Sequence, residues 1–238
     1  MNGINCLKLL GSTGKTLNRD ISVLSVELHL HTRSSFDSAM TPESAIVACQ
    51  RRGVTCLAVT DHNRIEAAWE IQALAPFPVI VGEEIRTAEG ELIAYFLSQE
   101  IPRGLSPEAS IERVRAQGGV VGVPHPFDRF RGGVLKRKAL LRIAPRIDFV
   151  EAFNARNLLL RDSMLGAAFA REHGLRTTVA SDAHTPMEVG TAYLRMPAFE
   201  DAAGFLAALD RAEMVTKRSP AWVHLFSKWH TWRKRLLR

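Results

Sequence analysis

The chain has 238 residues, of which 46% are apolar and 24% charged, with three cysteines and a net charge of +6. That is length enough for one large domain or two small ones with a substantial core, in the composition range of soluble globular proteins. The absence of any run of about eighteen apolar residues excludes a spanning helix, and an odd set of cysteines (Cys6, Cys49, Cys56) without metal-binding spacing argues against a disulfide framework and suits a reducing cytoplasm.

Residues 1–20 lack a long apolar core and a small-residue cleavage site, and read as a flexible leader rather than a signal peptide. Their GSTGKT, at 11–16, fails as a phosphate loop because the first glycine of that motif should stand where Leu9 is. The first strand-like run is VLSVELHL, ending in His29 and His31. In a strand, alternate residues share a face, so the two imidazoles project together while Leu30 points into apolar packing. Asp37 follows. Thr41-Pro42-Glu43 then opens a helix over AIVACQRR with a capping hydroxyl and a first-turn proline. The runs VTCLAV, PVIV and ELIAYFL are the next strands, ending in Asp61-His62, ending in Glu83-Glu84 and beginning at Glu91 respectively. Ser106-Pro107-Glu108 opens a second helix that Gly118-Gly119 stops. GVVGV leads to Pro124-His125-Pro126, and IDFVEAF carries Glu151 with Asn154 just beyond. A helix over about 157–173 ends at Gly174, RTTVAS leads into Asp182 and His184, TAYLRM is the last strand, and a helix lies near 199–210. The alternation of strand and helix predicts a parallel α/β architecture, one domain over 21–216.

In a parallel barrel the strand ends converge on one face. Imidazoles and carboxylates gathered there, without thiolates, form a ligand set suited to Mn, Fe or Zn. They outnumber the needs of one ion, so two or three divalent ions are expected.

The ordered motifs ELHLHT, TDHN, GEEI, VPHPFD, EAFNARN and SDAHT, spread over residues 25–195, resemble those of the PHP family, the polymerase and histidinol phosphatase family of metal-dependent phosphoesterases. The resemblance implies a distorted (β/α)7 barrel with a site for two or three ions. It implies His29, His31, Asp37, His62, Glu84, His125, Asp182 and His184 as metal ligands, with Glu84 preferred to Glu83, which would point to the opposite face. Many relatives have a histidine on the fourth strand; this chain has none, and Glu91 is the nearest substitute. The implied reaction is hydrolysis of a phosphoester by metal-activated water, on a phosphorylated small molecule such as a nucleotide, or on a short oligonucleotide. His125 or Asp182 would handle protons, and Arg33, Arg129, Arg131 and Arg156 would grip phosphate oxygens. Gly132 and Gly133 suggest that the Arg129–Arg131 loop moves. The competing classes are a non-catalytic nucleotide- or partner-binding member of the fold and an adaptor tethered to a membrane surface through the C-terminal tail.

Residues 217–238 stand apart. They carry seven Lys and Arg and no acid, leaving 24 basic against 25 acidic residues elsewhere, a net of −1. Trp222, Leu225, Phe226, Trp229, Trp232 and Leu236 recur at helical spacing. A basic amphipathic helix of this kind suits an anionic membrane surface, or nucleic acid, through residues 219–238, and would place a cytoplasmic protein at the membrane periphery. A packed terminal helix or a lid over the barrel fits the same pattern.

Overall fold

In the computed structural model, which describes residues 23–236, the strands are β1 (Val23–Glu27), β2 (Cys56–Val59), β3 (Val79–Thr87), β4 (Gly90–Tyr95), β5 (Val120–Val123), β6 (Phe149–Asn154), β7 (Arg176–Ala180), β8 (Ala192–Pro197) and β9 (Glu213–Thr216). They form one sheet in the order β7-β6-β5-β4-β3-β2-β1-β8-β9. The helices are α1 (Pro42–Arg52), α2 (Glu66–Leu74), α3 (Pro107–Ala116), α4 (Arg137–Ile143), α5 (Leu160–Glu172), α6 (Ala202–Leu209) and α7 (Val223–Leu236). The leader with its GSTGKT lies outside the described residues.

The sheet closes at one end only. β8 pairs antiparallel with Val23–Val26 and occupies the edge that β7 would need for full closure. Past Glu27 the chain turns towards the segment after β7. Leu30 forms a parallel bridge to Ala183, the His31 amide donates to the Ala183 carbonyl at 2.8 Å, and the Ala183 amide to the His29 carbonyl at 3.2 Å. Strands β1 to β7 therefore make a distorted seven-stranded barrel, closed where their functional ends meet.

One expectation needs correction. The sheet is not uniformly parallel: β4 follows β3 through a tight hairpin and runs antiparallel to both β3 and β5. Reversal is what brings the start of β4, with Glu91, to the same end as the other strands' C-termini. Helices α2 and α4 and strand β9 are not legible in the sequence. Neither helix has a capping side chain, α4 has only 7 residues, and most of β9 is exposed. Where the caps are legible they form: Thr41 Oγ1 accepts from the Ser44 amide at 3.3 Å and Ser106 Oγ from the Ala109 amide at 3.2 Å.

Strand alternation sorts the core into two layers. Leu57, Val59, Val81, Leu92 and Val121 face helices α1 to α4. Val26, Ala58, Ile80, Tyr95 and Phe149 fill the barrel with Phe205 of α6. The Tyr95 and Phe149 rings stack at 5.3 Å, and Gly122 makes room for them: a Cβ there would stand 2.3 Å from Phe149 Cε2. Gly122→Ala should therefore lower stability by roughly 1–3 kcal/mol, as overpacking a close-fitted core does. A urea midpoint equal to that of the parent would show that the Phe149 ring can step aside.

Candidate metal centre

Two breaks in regular strand geometry aim the first candidate ligands. Leu28 faces the barrel interior and Leu30 the helices, although strict alternation would put both on one face. The pleat slips between them, and His29 and His31 turn inward together. Their Nε2 atoms stand 3.0 Å apart, both side chains fully buried. In β6 a register shift between Glu151 and Phe153 re-aims Glu151 towards His29, a common use of a bulge beside a site. Two further residues of the centre, His125 (φ 30°) and Asp182 (φ 54°), adopt left-handed backbone that non-glycine residues rarely occupy. The packing around them holds that strain.

Three imidazoles are fixed in one tautomer. His29 Nδ1–H donates to Glu151 Oε1 at 3.0 Å. His184 Nδ1–H donates to the Asp182 carbonyl at 2.8 Å. Ser35 gives its only hydroxyl proton to Asp61 Oδ1 at 2.6 Å, so at 3.1 Å it must accept from His31 Nδ1–H. In each ring this turns Nε2 towards the carboxylates. His31 Nε2 lies 3.3 Å from Glu84 Oε2 and 3.4 Å from Asp182 Oδ1. His184 Nε2 lies 3.0 Å from Asp37 Oδ2. Outer partners that orient an imidazole in this way are the usual companions of a ligating histidine.

Three sets of side chains can each hold an ion, their donor atoms within 4.8 Å of one another: His31, Asp37, His62 and His184; His29, His31 and Glu84; and His62, Glu84 and Glu91. His125 joins through Nε2, 3.0 Å from Glu84 Oε1. The donors fit divalent ions. Metal–nitrogen bonds of about 2.0–2.1 Å place two ligand atoms roughly 3 Å apart, as the His29 and His31 nitrogens are. Buried Asp37 Oδ1 and Asp182 Oδ1 have no hydrogen-bond partner among the described residues, a costly arrangement unless a cation faces them. All nine expected ligand residues therefore meet at one end of the barrel. Glu91 also accepts from Arg86 Nη1 at 3.1 Å, so part of its charge is already compensated. Glu83 points the other way and accepts from the Ile101 amide at 2.8 Å.

The electrostatics suit the same role. Burial disfavours the imidazolium of His29, but Asp182, Glu84 and Glu151 outweigh it and raise its proton affinity well above the ordinary histidine range. His62, also disfavoured by burial, is raised to about 10 by Glu84 and Asp37. Burial and then Arg156 push His184 down to about 3, leaving it neutral. Burial opposes ionisation of Asp182, but Arg131, His29 and His31 hold its carboxyl well below the usual range.

The four arginines diverge. Arg131 reaches the centre: Nη2 donates to Asp182 Oδ2, and Nε to Asp128 Oδ2 at 3.1 Å. Arg156 is buried, its guanidinium spanning the Asp182 carbonyl and Ser227 Oγ of α7, the latter at 2.8 Å. Arg129 lies against Asp162 at 3.3 Å, and Arg33 on the surface against Glu70 at 3.4 Å; neither is brought to the ligands. The glycine loop is pinned. The Gly133 carbonyl accepts from the Glu91 amide at 2.8 Å, and a Cβ on Gly133 would collide with the Glu91 carboxylate. Close approach to Glu91 explains Gly133, whereas a Cβ on Gly132 would meet nothing within 4 Å.

A cleft of 810 Å³ opens beside His62, with Phe36, Asn63, Arg64, Arg103 and Thr231 among its walls. Phe36 stacks on His62 at 4.8 Å. Arg64 follows the TDHN motif directly, whereas Arg103 carries no motif and is brought here by the fold. Ser35 and Asp61 escape sequence reasoning as supports; the adjacency of Asp61 to His62 is their one sequence signal. Ser35→Ala should weaken divalent-ion affinity by about 10–100-fold, as loss of an outer-shell partner does. Titration with Mn²⁺ or Zn²⁺ measures it, and unchanged affinity would mean that the Ser35 bond does not orient His31.

Comparison with known proteins places these residues in context. A family model for the PHP domain matches residues 27–112, and one for a PHP-associated region matches 162–214. Two uncharacterized proteins of Methanocaldococcus jannaschii are similar. One is 35% identical over 145 residues, covering 56% of this chain and 82% of the relative. The other is 31% identical over 179 residues, covering 72% and 70%. Among solved structures, a two-domain protein from Bacteroides vulgatus containing a predicted PHP-like metal-dependent phosphoesterase superposes with a TM-score of 0.65 at 19% identity. That match covers 82% of this chain and 65% of the other.

Proposed function

The chain belongs to the PHP family, and from that membership we propose that it hydrolyses a phosphoester of a nucleotide or short oligonucleotide at a centre of two or three divalent ions. The observation that carries the reading is the set of three imidazoles locked with Nε2 towards shared carboxylates. An imidazole serving only as packing needs no such orientation. Ions held there supply Lewis acidity, lowering the pKa of a water and neutralising phosphate charge.

The protein's own groups do the rest. Glu84, reached by His29, His31, His62 and His125, would help hold ions in two of the three ligand sets. Asp182 and His125 are the residues expected to carry protons. Asp182 has Oδ2 taken by Arg131 and Asn154 and Oδ1 among imidazoles, and His125 faces Glu84. We assign both to holding ions. Arg131, 21% exposed at its side chain, is the arginine placed to meet a phosphate oxygen. Arg103, with the half-exposed ring of Phe36 on the same cleft, offers a stacking face beside positive charge, while Arg64 there is paired with Glu66 at 3.4 Å and Glu100 at 3.7 Å. That combination suits a base next to its phosphate.

The test is phosphate release from mononucleotides, nucleotide bisphosphates and short oligonucleotides with Mn²⁺ added and chelated protein as the blank. Metal-dependent release supports the reading, and the best substrate narrows it. No release from folded, metal-loaded protein would overturn it. Arg131→Ala should raise KM more than it lowers kcat if the guanidinium serves uniform binding. A fall in kcat at unchanged KM would mean that Arg131 instead positions Asp182.

A further inference from the structure

Helix α7 is packed with the wrong face inward. A terminal helix that merely completes a core turns its apolar stripe to the protein and its polar side chains to water. Among the described side chains, those on the inward face are small and polar. His224 Nε2 lies 3.0 Å from the Arg156 carbonyl, Ser227 Oγ accepts from Arg156 Nη2 at 2.8 Å, and Thr231 lines the cleft beside His62. Only Val223, at the first turn, is a buried apolar residue of this helix among those described. The spacing 224, 227, 231 is that of one helix face. Leu225, Phe226, Trp229 and Trp232, with Trp222 just before the helix, fall on the other side, and all are exposed; Trp232 is 60% and Leu225 67% accessible. A stripe of five large apolar side chains left in water is unfavourable and marks a surface that another phase or molecule covers.

The surrounding chemistry says which. Residues 217–238 hold seven Lys and Arg and no Asp or Glu, so this end of the chain concentrates positive charge. Arg233 lies over the Trp229 ring at 5.6 Å, leaving cation and indole side by side. Indoles prefer the boundary between headgroups and acyl chains, and cations the phosphates above it. No helix among the described residues is long and apolar enough to cross a membrane, so the fitting geometry is a helix lying in the interface.

We infer that α7 docks the protein flat on an anionic membrane surface through Trp222, Leu225, Phe226, Trp229 and Trp232. Its opposite face stays bonded to Arg156, so docking does not require the helix to leave the barrel. Because Thr231 is a wall of the cleft, the docked protein holds its metal centre close to the bilayer surface. The inference is independent of the substrate proposed above.

The test uses the full chain with vesicles of phosphatidylcholine alone or with phosphatidylglycerol added. Three of the four tryptophans lie in or beside α7, so their emission reports docking directly. Anionic vesicles should pellet the protein and shift its emission to the blue. Neutral vesicles should do neither, and raised salt should weaken the effect because the attraction is screened within a Debye length. A Phe226→Ser, Trp229→Ser variant replaces exposed residues and should keep its circular dichroism and metal content, yet partition about tenfold more weakly or worse. Equal pelleting by the variant, or no pelleting by the parent, would overturn the inference. So would light scattering that finds a dimer which the variant dissociates, since a second copy of the chain would then cover the stripe.

Discussion

His31→Ala is expected to remove bound metal and to lower metal-dependent phosphoester hydrolysis by at least about a hundredfold. His31, like His62 and Glu84, is shared by two of the three ligand sets, so its loss opens two ion positions at once. The lower bound follows from the outer shell: partners that merely orient a ligand already cost about 10–100-fold. The fold should survive. Ser35 still donates to Asp61, the backbone bridge of Leu30 to Ala183 does not involve the side chain, and the space left is the size of an imidazole. Metal content by elemental analysis should fall by at least one ion per chain while circular dichroism is unchanged. Added imidazole should restore part of the activity by entering that space. Arg33→Ala is the contrast: an exposed arginine against Glu70 at 3.4 Å is a surface ion pair worth about 0–1 kcal/mol, and activity should be close to that of the parent. Full metal occupancy in His31→Ala would remove His31 from the ligand set.

His31 is legible as a candidate ligand in the sequence because ligand chemistry is local along the chain. Paired histidines at i and i+2, an aspartate and histidine two apart after a strand, and a histidine between prolines are each readable, and the strand rhythm brings them to one end. What cannot be read there depends on closure. Ser35 and Asp61 act through the tautomer of His31, a relation that exists only once the β1 and β2 ends are adjacent. Arg64 and Arg103 reach the cleft from separate loops. The reversed direction of β4 is hidden because a strand reads the same both ways; only the brevity of the link between Thr87 and Gly90, too short for a crossover helix, speaks for a hairpin. The burial of Arg156 is equally invisible, since its partner Ser227 lies 71 residues away. Helix α7 shows the converse limit. Its periodicity is plain in the sequence, but which face meets the barrel is decided by the hydroxyls and the Arg156 contacts, against the hydrophobic pattern.

Removing the metal should lower the thermal midpoint substantially, and more so at alkaline pH. Ions that bind only the folded chain stabilise it by mass action, about 2.7 kcal/mol for a site filled at a hundred times its dissociation constant. In a domain of this size each kcal/mol moves the midpoint by about 2–4 °C, so chelation should cost roughly 5–10 °C for each such site. The pH dependence has a definite sign. In the metal-free protein His29 and His62 hold protons more tightly than a free histidine, His62 up to about 10. Their pairing with the carboxylates therefore stabilises the metal-free fold fully below the unfolded value near 6.5, and is lost as pH rises towards 10. An ion must displace those same protons, so its binding tightens over that interval. Both effects widen the gap between loaded and chelated protein as pH is raised from about 6 to 9. Paired scanning calorimetry with and without chelator measures it directly. A gap that narrows over this range would mean that the ions do not bind at the imidazoles, and a gap absent at every pH would mean that the cluster of His29, His31, Glu84 and Asp182 holds no ion.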